Sequence, residues 1–223
     1  EDDFAAIRFA TQRGVIVIEA AGNGAENLDD AIYSQRPATF PSTWTNPFNR
    51  TNRDSGAVVV GAGAPPPGTH GRDHGPDRSR LDFSNYGALV DAQGWGREVT
   101  TCGYGGLQGG SDEDLWYTDT FSGTSSASPI VVGAVGSIQG MARARSAPVL
   151  TPARVRECLR TTGSPQQDAP LQDGKASGPR QIRPPMQSLM KPQGSPTGMS
   201  WVALAHTKFA PSQKQDVPST GQS

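Results

Sequence analysis

The segment Phe121-Ser122-Gly123-Thr124-Ser125-Ser126-Ala127-Ser128-Pro129 runs glycine and small polar residues straight into a stretch of small apolar ones. With that stretch read as helix, Ser125 stands in its first turn, where backbone N–H groups lack intrahelical acceptors and the helix dipole favours negative charge. These are the conditions that stabilise a tetrahedral oxyanion beside a serine nucleophile. The plainer reading is a Ser/Thr-rich cap that only starts the helix. A second candidate is Asn23, set between Gly22 and Gly24 after the apolar run Val15-Ile16-Val17-Ile18. An amide there emerges at the carboxyl end of a strand, where open α/β sheets place their ligand sites. Asparagine between glycines also reads as a turn residue that tolerates positive φ.

Both candidates need a sheet and a helix to hold them. Residues 1–13 carry Phe4, Ile7 and Ala10 at helical spacing, and Gly14 is placed to end that helix. The continuous apolarity of 15–18 and of Ala57-Val58-Val59-Val60-Gly61-Ala62 predicts strands buried on both faces. Helix, buried strand and Gly-rich turn in succession indicate an α/β sheet. Ala88-Leu89-Val90 and Val99-Thr100-Thr101 are shorter strand candidates, and Pro65–Arg80 reads as a surface loop. From Ser125 to about Arg145, Ala127, Ile130, Val131, Ala134, Ile138 and Met141 keep helical spacing, with Ala and Gly on several faces, which predicts a helix packed closely on all sides. Thr151 as N-cap and Pro152 at the first helical position announce another helix, which runs through Val155 and Leu159 and stops at Gly163.

Of the 223 residues, 27 are Gly and 19 are Pro, which fits a turn-rich globular domain. Twenty Lys and Arg balance 21 Asp and Glu for a formal charge of -1, so a general nucleic-acid binder, which needs a basic excess, is disfavoured. No apolar run reaches the roughly 18 residues that cross a bilayer. Cys102 and Cys158 are too few for a disulfide framework and too far apart for a zinc site, leaving one bridge or none. From 192 to 223, Pro, Gly, Ser and Gln make up 16 of 32 residues, the composition of a disordered tail, although Trp201-Val202-Ala203-Leu204-Ala205 has the apolarity to dock.

Ala20-Ala21-Gly22-Asn23-Gly24 and Ser122–Pro129 resemble, in order and separation, the oxyanion-asparagine and nucleophile segments of the subtilisin-like serine proteases, the subtilases. Phe83-Ser84-Asn85-Tyr86-Gly87 resembles the family's turn before the nucleophile, and Leu150–Arg156 the helix that follows it. The resemblance covers residues 1–191. It implies a subtilisin-like α/β fold, a mostly parallel sheet with helices on both faces, and an endopeptidase that hydrolyses polypeptides through an acyl-enzyme on Ser125. It makes Asn23 and the Ser125 N–H the oxyanion donors, and Ala20, Ala21 and Gly22 one wall of the primary specificity pocket. It also implies a secreted or extracytoplasmic protein that needs no cofactor for its chemistry; a structural calcium is compatible but not legible. One departure is large. The family's Asp-Ser/Thr-Gly and His-Gly-Thr-His segments are missing, so the triad's Asp and His are expected upstream, in an N-terminal half of the same domain. His70 and His74 follow the asparagine within a Pro/Gly/Arg loop and read as solvated loop histidines, and His206 lies in the tail. Asp112-Glu113-Asp114 with Asp119 suits a calcium site or a patch for basic substrates, but more simply a solvated loop. The competing readings are a non-catalytic module that binds extended peptide along a strand edge and an esterase or acyltransferase built on the same oxyanion chemistry.

Overall fold

The computed structural model describes residues 2–167, together with the short antiparallel pair Leu171–Gln172 and Lys175–Ala176. The expected tail at 192–223, with Trp201–Ala205 and His206, lies outside the described residues.

Helix α1, Asp2–Gln12, opens with two acidic residues that suit the positive end of the helix dipole. The chain turns at Gly14, φ +83°, into β1, Ile18–Ala20. β1 pairs in parallel with β2, Val58–Gly63, which pairs in parallel with β3, Ala92–Trp95. In this β1-β2-β3 sheet every residue of the central strand is buried, which is why 57–62 reads as an unbroken apolar run. The same expectation for 15–18 is corrected. Pairing begins only at Ile18, Val15 is 53% exposed and Ile16 to Ile18 are half-buried, because β1 is an edge strand among the described residues.

Alternation along β2 divides the core. Val58, Val60 and Ala62 pack with Ala127, Val131, Val135 and Val155, and Val59 on the other face packs with Leu28 and Val90 under half-buried Phe48 and Leu89. The first group of partners comes from α2, Thr124–Ala144, and α3, Pro152–Thr162. A Cβ at Gly94 would overlap the carbonyl oxygen of Ala127, so glycine is what lets α2 lie directly on β3. Ala88–Val90 is not a strand. Val90 N–H closes a turn on Gly87 O, the Asp29 carboxylate accepts from Ala88 N–H, and pairing resumes one step later with Asp91 N–H to Val59 O. The strand signal there belongs to Val90, buried under the sheet.

β4, Val99–Cys102, falls where expected, but its antiparallel partner β5, Tyr117–Phe121, was not anticipated. Only Thr118 of β5 is buried, so the segment lacks an apolar stripe. β5 delivers the chain to Gly123 and α2. Among the described residues α2 is not packed on all sides: its buried residues lie toward the sheet, while Val132 is 52% exposed and Gly133, Gly136 and Gly140 face open space. α3 matches expectation, with the Thr151 hydroxyl accepting from Arg154 N–H at 3.3 Å. Asp91, fully buried, ties the molecule together: it accepts from the two terminal guanidinium nitrogens of Arg50, from Arg160 on α3 at 2.8 Å, and from Val59 N–H at 2.9 Å. Cys102 is exposed, Cys158 is half-buried, and the two are not bridged.

Candidate active site

Gly123 adopts φ +104° and anchors the entrance to α2 by donating to Gly96 O at 2.9 Å. Ser125, second in the helix, is exposed, and its N–H lies among the first-turn donors that have no intrahelical acceptor. Pro129 lacks the N–H that would otherwise bond the Ser125 carbonyl, which loosens the helix at that residue alone. The flanking hydroxyls point inward: Ser126 donates to Gly123 O and Trp95 O, and Ser128 to Thr124 O. Ser125 is the exposed hydroxyl of the three.

Asn23 reaches this turn from the loop after β1. Its Oδ1 accepts from Thr124 N–H and from Thr124 Oγ1, both at 2.9 Å. A backbone N–H can only donate, so the amide oxygen must face Thr124 and the NH2 group must face away. Thr124 Oγ1 in turn accepts from Gly22 N–H at 3.2 Å, closing a ring of bonds between loop and helix. A Cβ at Gly123 would lie 3.3 Å from Asn23 Nδ2 and 3.7 Å from Ser125 N. The Asn23 amide and the Ser125 backbone nitrogen therefore border one small space over Gly123, and glycine leaves it open. Two convergent donors at a helix start can hold an oxyanion. Ala20, exposed, and Ala21 and Gly22, half-buried, lead into this loop.

The structure thus brings Asn23 and Ser125, far apart in sequence, to one place. Thr124, which the sequence reading did not single out as a site residue, is the group that aims Asn23. Asn85, on the 83–87 segment, holds the other side of the loop: its Nδ2 donates to Ala21 O, and its Oδ1 accepts from Gly24 N–H and Glu26 N–H.

The histidines are elsewhere engaged. His70 Nδ1 lies 3.0 Å from Asp119 O, and His74 Nε2 lies 2.7 Å from Glu98 Oε1. Arg72 donates to Glu98 Oε2 at 2.7 Å. His70 is exposed in its loop, as expected, whereas His74 is half-buried and joins Arg72 on a carboxylate that is 5% exposed. Burial alone would raise the Glu98 pKa, but hydrogen bonds from His74 and Arg72 outweigh it and hold the carboxyl below the usual range. Asp112 caps a short 3-10 turn, Glu113–Leu115, by accepting from Asp114 N–H. Among the described residues no imidazole bonds Ser125.

The profile of the Subtilase family matches residues 2–181. A subtilisin-like protease 6 from Trichophyton schoenleinii is 33% identical over 62% of this chain and 24% of its own length. An extracellular protease from Xanthomonas campestris pv. campestris is 30% identical over 70% of this chain and 21% of its own. A solved protease from Pseudoalteromonas arctica superposes with a TM-score of 0.47 at 25% identity, covering 73% of this chain and 40% of that one. The chain spans about a quarter of the length of the curated relatives it matches. With its profile match running from the first helix past α3, the chain belongs to the subtilase family.

Proposed function

We propose that this chain is the nucleophile-bearing part of a serine endopeptidase. Ser125 Oγ attacks the scissile carbonyl, its proton passing to a general base, and the carbonyl oxygen becomes an oxyanion held by Asn23 Nδ2 and Ser125 N–H. Collapse expels the amine half of the substrate and leaves an acyl-enzyme on Ser125, which water then hydrolyses. The observation that carries this reading is the fixed amide of Asn23: Thr124 holds its oxygen, so its NH2 group faces away from Thr124, in the space that the Ser125 backbone nitrogen also borders. Ala20, Ala21 and Gly22 form one wall of the pocket for the substrate side chain, where small residues leave room.

A serine hydroxyl needs a base within hydrogen-bonding reach. His70 is occupied at the Asp119 carbonyl and His74 at Glu98, so the reading assigns the imidazole and its carboxylate partner to polypeptide upstream of these residues. Two features support an upstream partner segment: the open face of α2 at Val132, Gly133 and Gly136, and the edge of β1. The name of the Xanthomonas relative, an extracellular protease, supports export; among the described residues no helix is long and apolar enough to cross a membrane.

The test is fluorophosphonate treatment of the protein from its native source, followed by peptide mapping. An adduct on Ser125, in a species cleaving peptides in preference to esters, is the expected result. A native protein that takes no label overturns the protease reading in favour of a peptide-binding module.

A further inference from the structure

The loop that carries Asn23 has no regular structure to hold it. Gly22 and Ala25 are both in the left-handed region, at φ +95° and +57°, and residues 23 to 26 are exposed. Backbone groups in such a loop must be satisfied from outside it or be left to water. Here the 83–88 segment does so along its length. Ala25 N–H donates to Phe83 O, Asn85 N–H to Gly22 O, Tyr86 N–H to Glu26 O and Leu28 N–H to Tyr86 O. In the middle of this zipper one side chain replaces backbone: the Asn85 amide gives its NH2 to Ala21 O at 2.8 Å and takes Gly24 N–H at 3.0 Å and Glu26 N–H at 2.9 Å.

With its own N–H on Gly22 O, Asn85 grips two backbone groups before Asn23 and two after it. The chemistry is specific to a short amide. Aspartate has the acceptor but no donor for Ala21 O, leucine has neither, and glutamine is a methylene too long. The fit is tight as well, since a Cβ at Gly22 would come within 2.6 Å of Asn85 Nδ2. Thr124 fixes which way the Asn23 amide faces, but the position from which it faces depends on its own Cα, and that is what Asn85 brackets.

We propose that Asn85 is a positioning residue for oxyanion stabilisation, acting through Asn23 without touching substrate. The proposal rests on the oxyanion reading of Asn23. It also predicts a signature that a merely structural asparagine would not give: the effect of removing Asn85 disappears once Asn23 has no amide to position.

The experiment is a double-mutant cycle in the full-length polypeptide, read as kcat and KM on a peptide substrate. Asn85→Ala should lower kcat about tenfold or more with KM held within about threefold, since an interaction made only in the transition state is weakened. In an Asn23→Ala background the same substitution should cost less than about twofold, the two residues sharing one function. Asn85→Asp, which keeps the acceptor, should recover part of the loss. Equal losses in both backgrounds, or a rise in KM at unchanged kcat, overturn the proposal. If Asn85→Ala does not fold, as judged by thermal unfolding, the cycle is run with Asn85→Asp, whose smaller loss of kcat should likewise vanish in the Asn23→Ala background; a loss equal in both backgrounds, or none in either, overturns the proposal. Failure of the parent reading is separate: it shows in the unsubstituted protein, as no fluorophosphonate adduct on Ser125, or in Asn23→Ala alone, as unchanged kcat, and either takes the Asn85 proposal with it.

Discussion

Thr124 uses its hydroxyl twice, donating to Asn23 Oδ1 and accepting from Gly22 N–H. Thr124→Val keeps the shape and removes both bonds, leaving Asn23 held by a single backbone donor. Kinetics of this variant should show kcat down by roughly tenfold, the equivalent of one hydrogen bond of about 1.4 kcal/mol, while Thr124→Ser retains most of the activity. Asn23→Ala itself should cost on the order of a hundredfold or more in kcat with little change in KM. Gly123→Ala should be more harmful than its size suggests, since it meets a positive φ and intrudes between the two donors. Ser125 and Asn23 were legible as candidates because their residue types and glycine neighbours are unusual at a helix start and a strand end. The residues that aim them were not, because Thr124 and Asn85 act on partners 101 and about 60 positions away, and hydrogen bonding at that range leaves no local pattern.

Between the loop and the sheet, small residues decide how close the helices come. Gly94→Ala would push the start of α2 off β3 through Ala127 O, a backbone atom that cannot swing aside. Its expected signature is a destabilisation of about 1–3 kcal/mol in denaturant unfolding, the usual cost of overpacking, with loss of Ser125 labelling in the fraction that folds. The loop 65–78 is fastened to the β4–β5 hairpin region by Glu98 through Arg72 and His74. Since the folded-state pKa of Glu98 is depressed, its contribution is present above the ordinary glutamate value of 4.5 and is lost as pH falls through the lowered value. Melting temperature measured from pH 6 down to 3 should therefore drop more steeply below 4.5 in the unsubstituted protein than in Glu98→Gln. β2, α2 and α3 were readable from periodicity and caps. β5 was not, having Thr118 as its one buried residue, and Val90 signalled a strand because burial in a turn looks the same in sequence as burial in a sheet.

Asp91 joins the whole molecule, linking the 50s loop, β2 and α3 through one buried carboxylate. Asp91→Ala takes the buried carboxylate away from Arg50 and Arg160, whose side chains keep 18% and 32% of their surface in solvent, and should cost about 1.5–3 kcal/mol in equilibrium unfolding. Nothing in the local sequence marks this residue, because its three partners lie 32, 41 and 69 positions away. The uncovered side of α2 makes the opposite prediction: Val132→Glu, harmless if that face meets solvent, should reduce the yield of fluorophosphonate-reactive full-length protein if an upstream segment packs there. The bond between Asn23 and Thr124 has a further consequence, in time. A ribosome adding roughly 5–20 residues per second releases Asn23 several seconds before Ser125 exists, and closing so long a loop depends on the sheet between them having formed. A nascent chain therefore carries Asn23 without its partner while the hundred or so residues up to Thr124 are added, and the loop around Asn23 gains its hydrogen-bonded form only once the start of α2 has joined it.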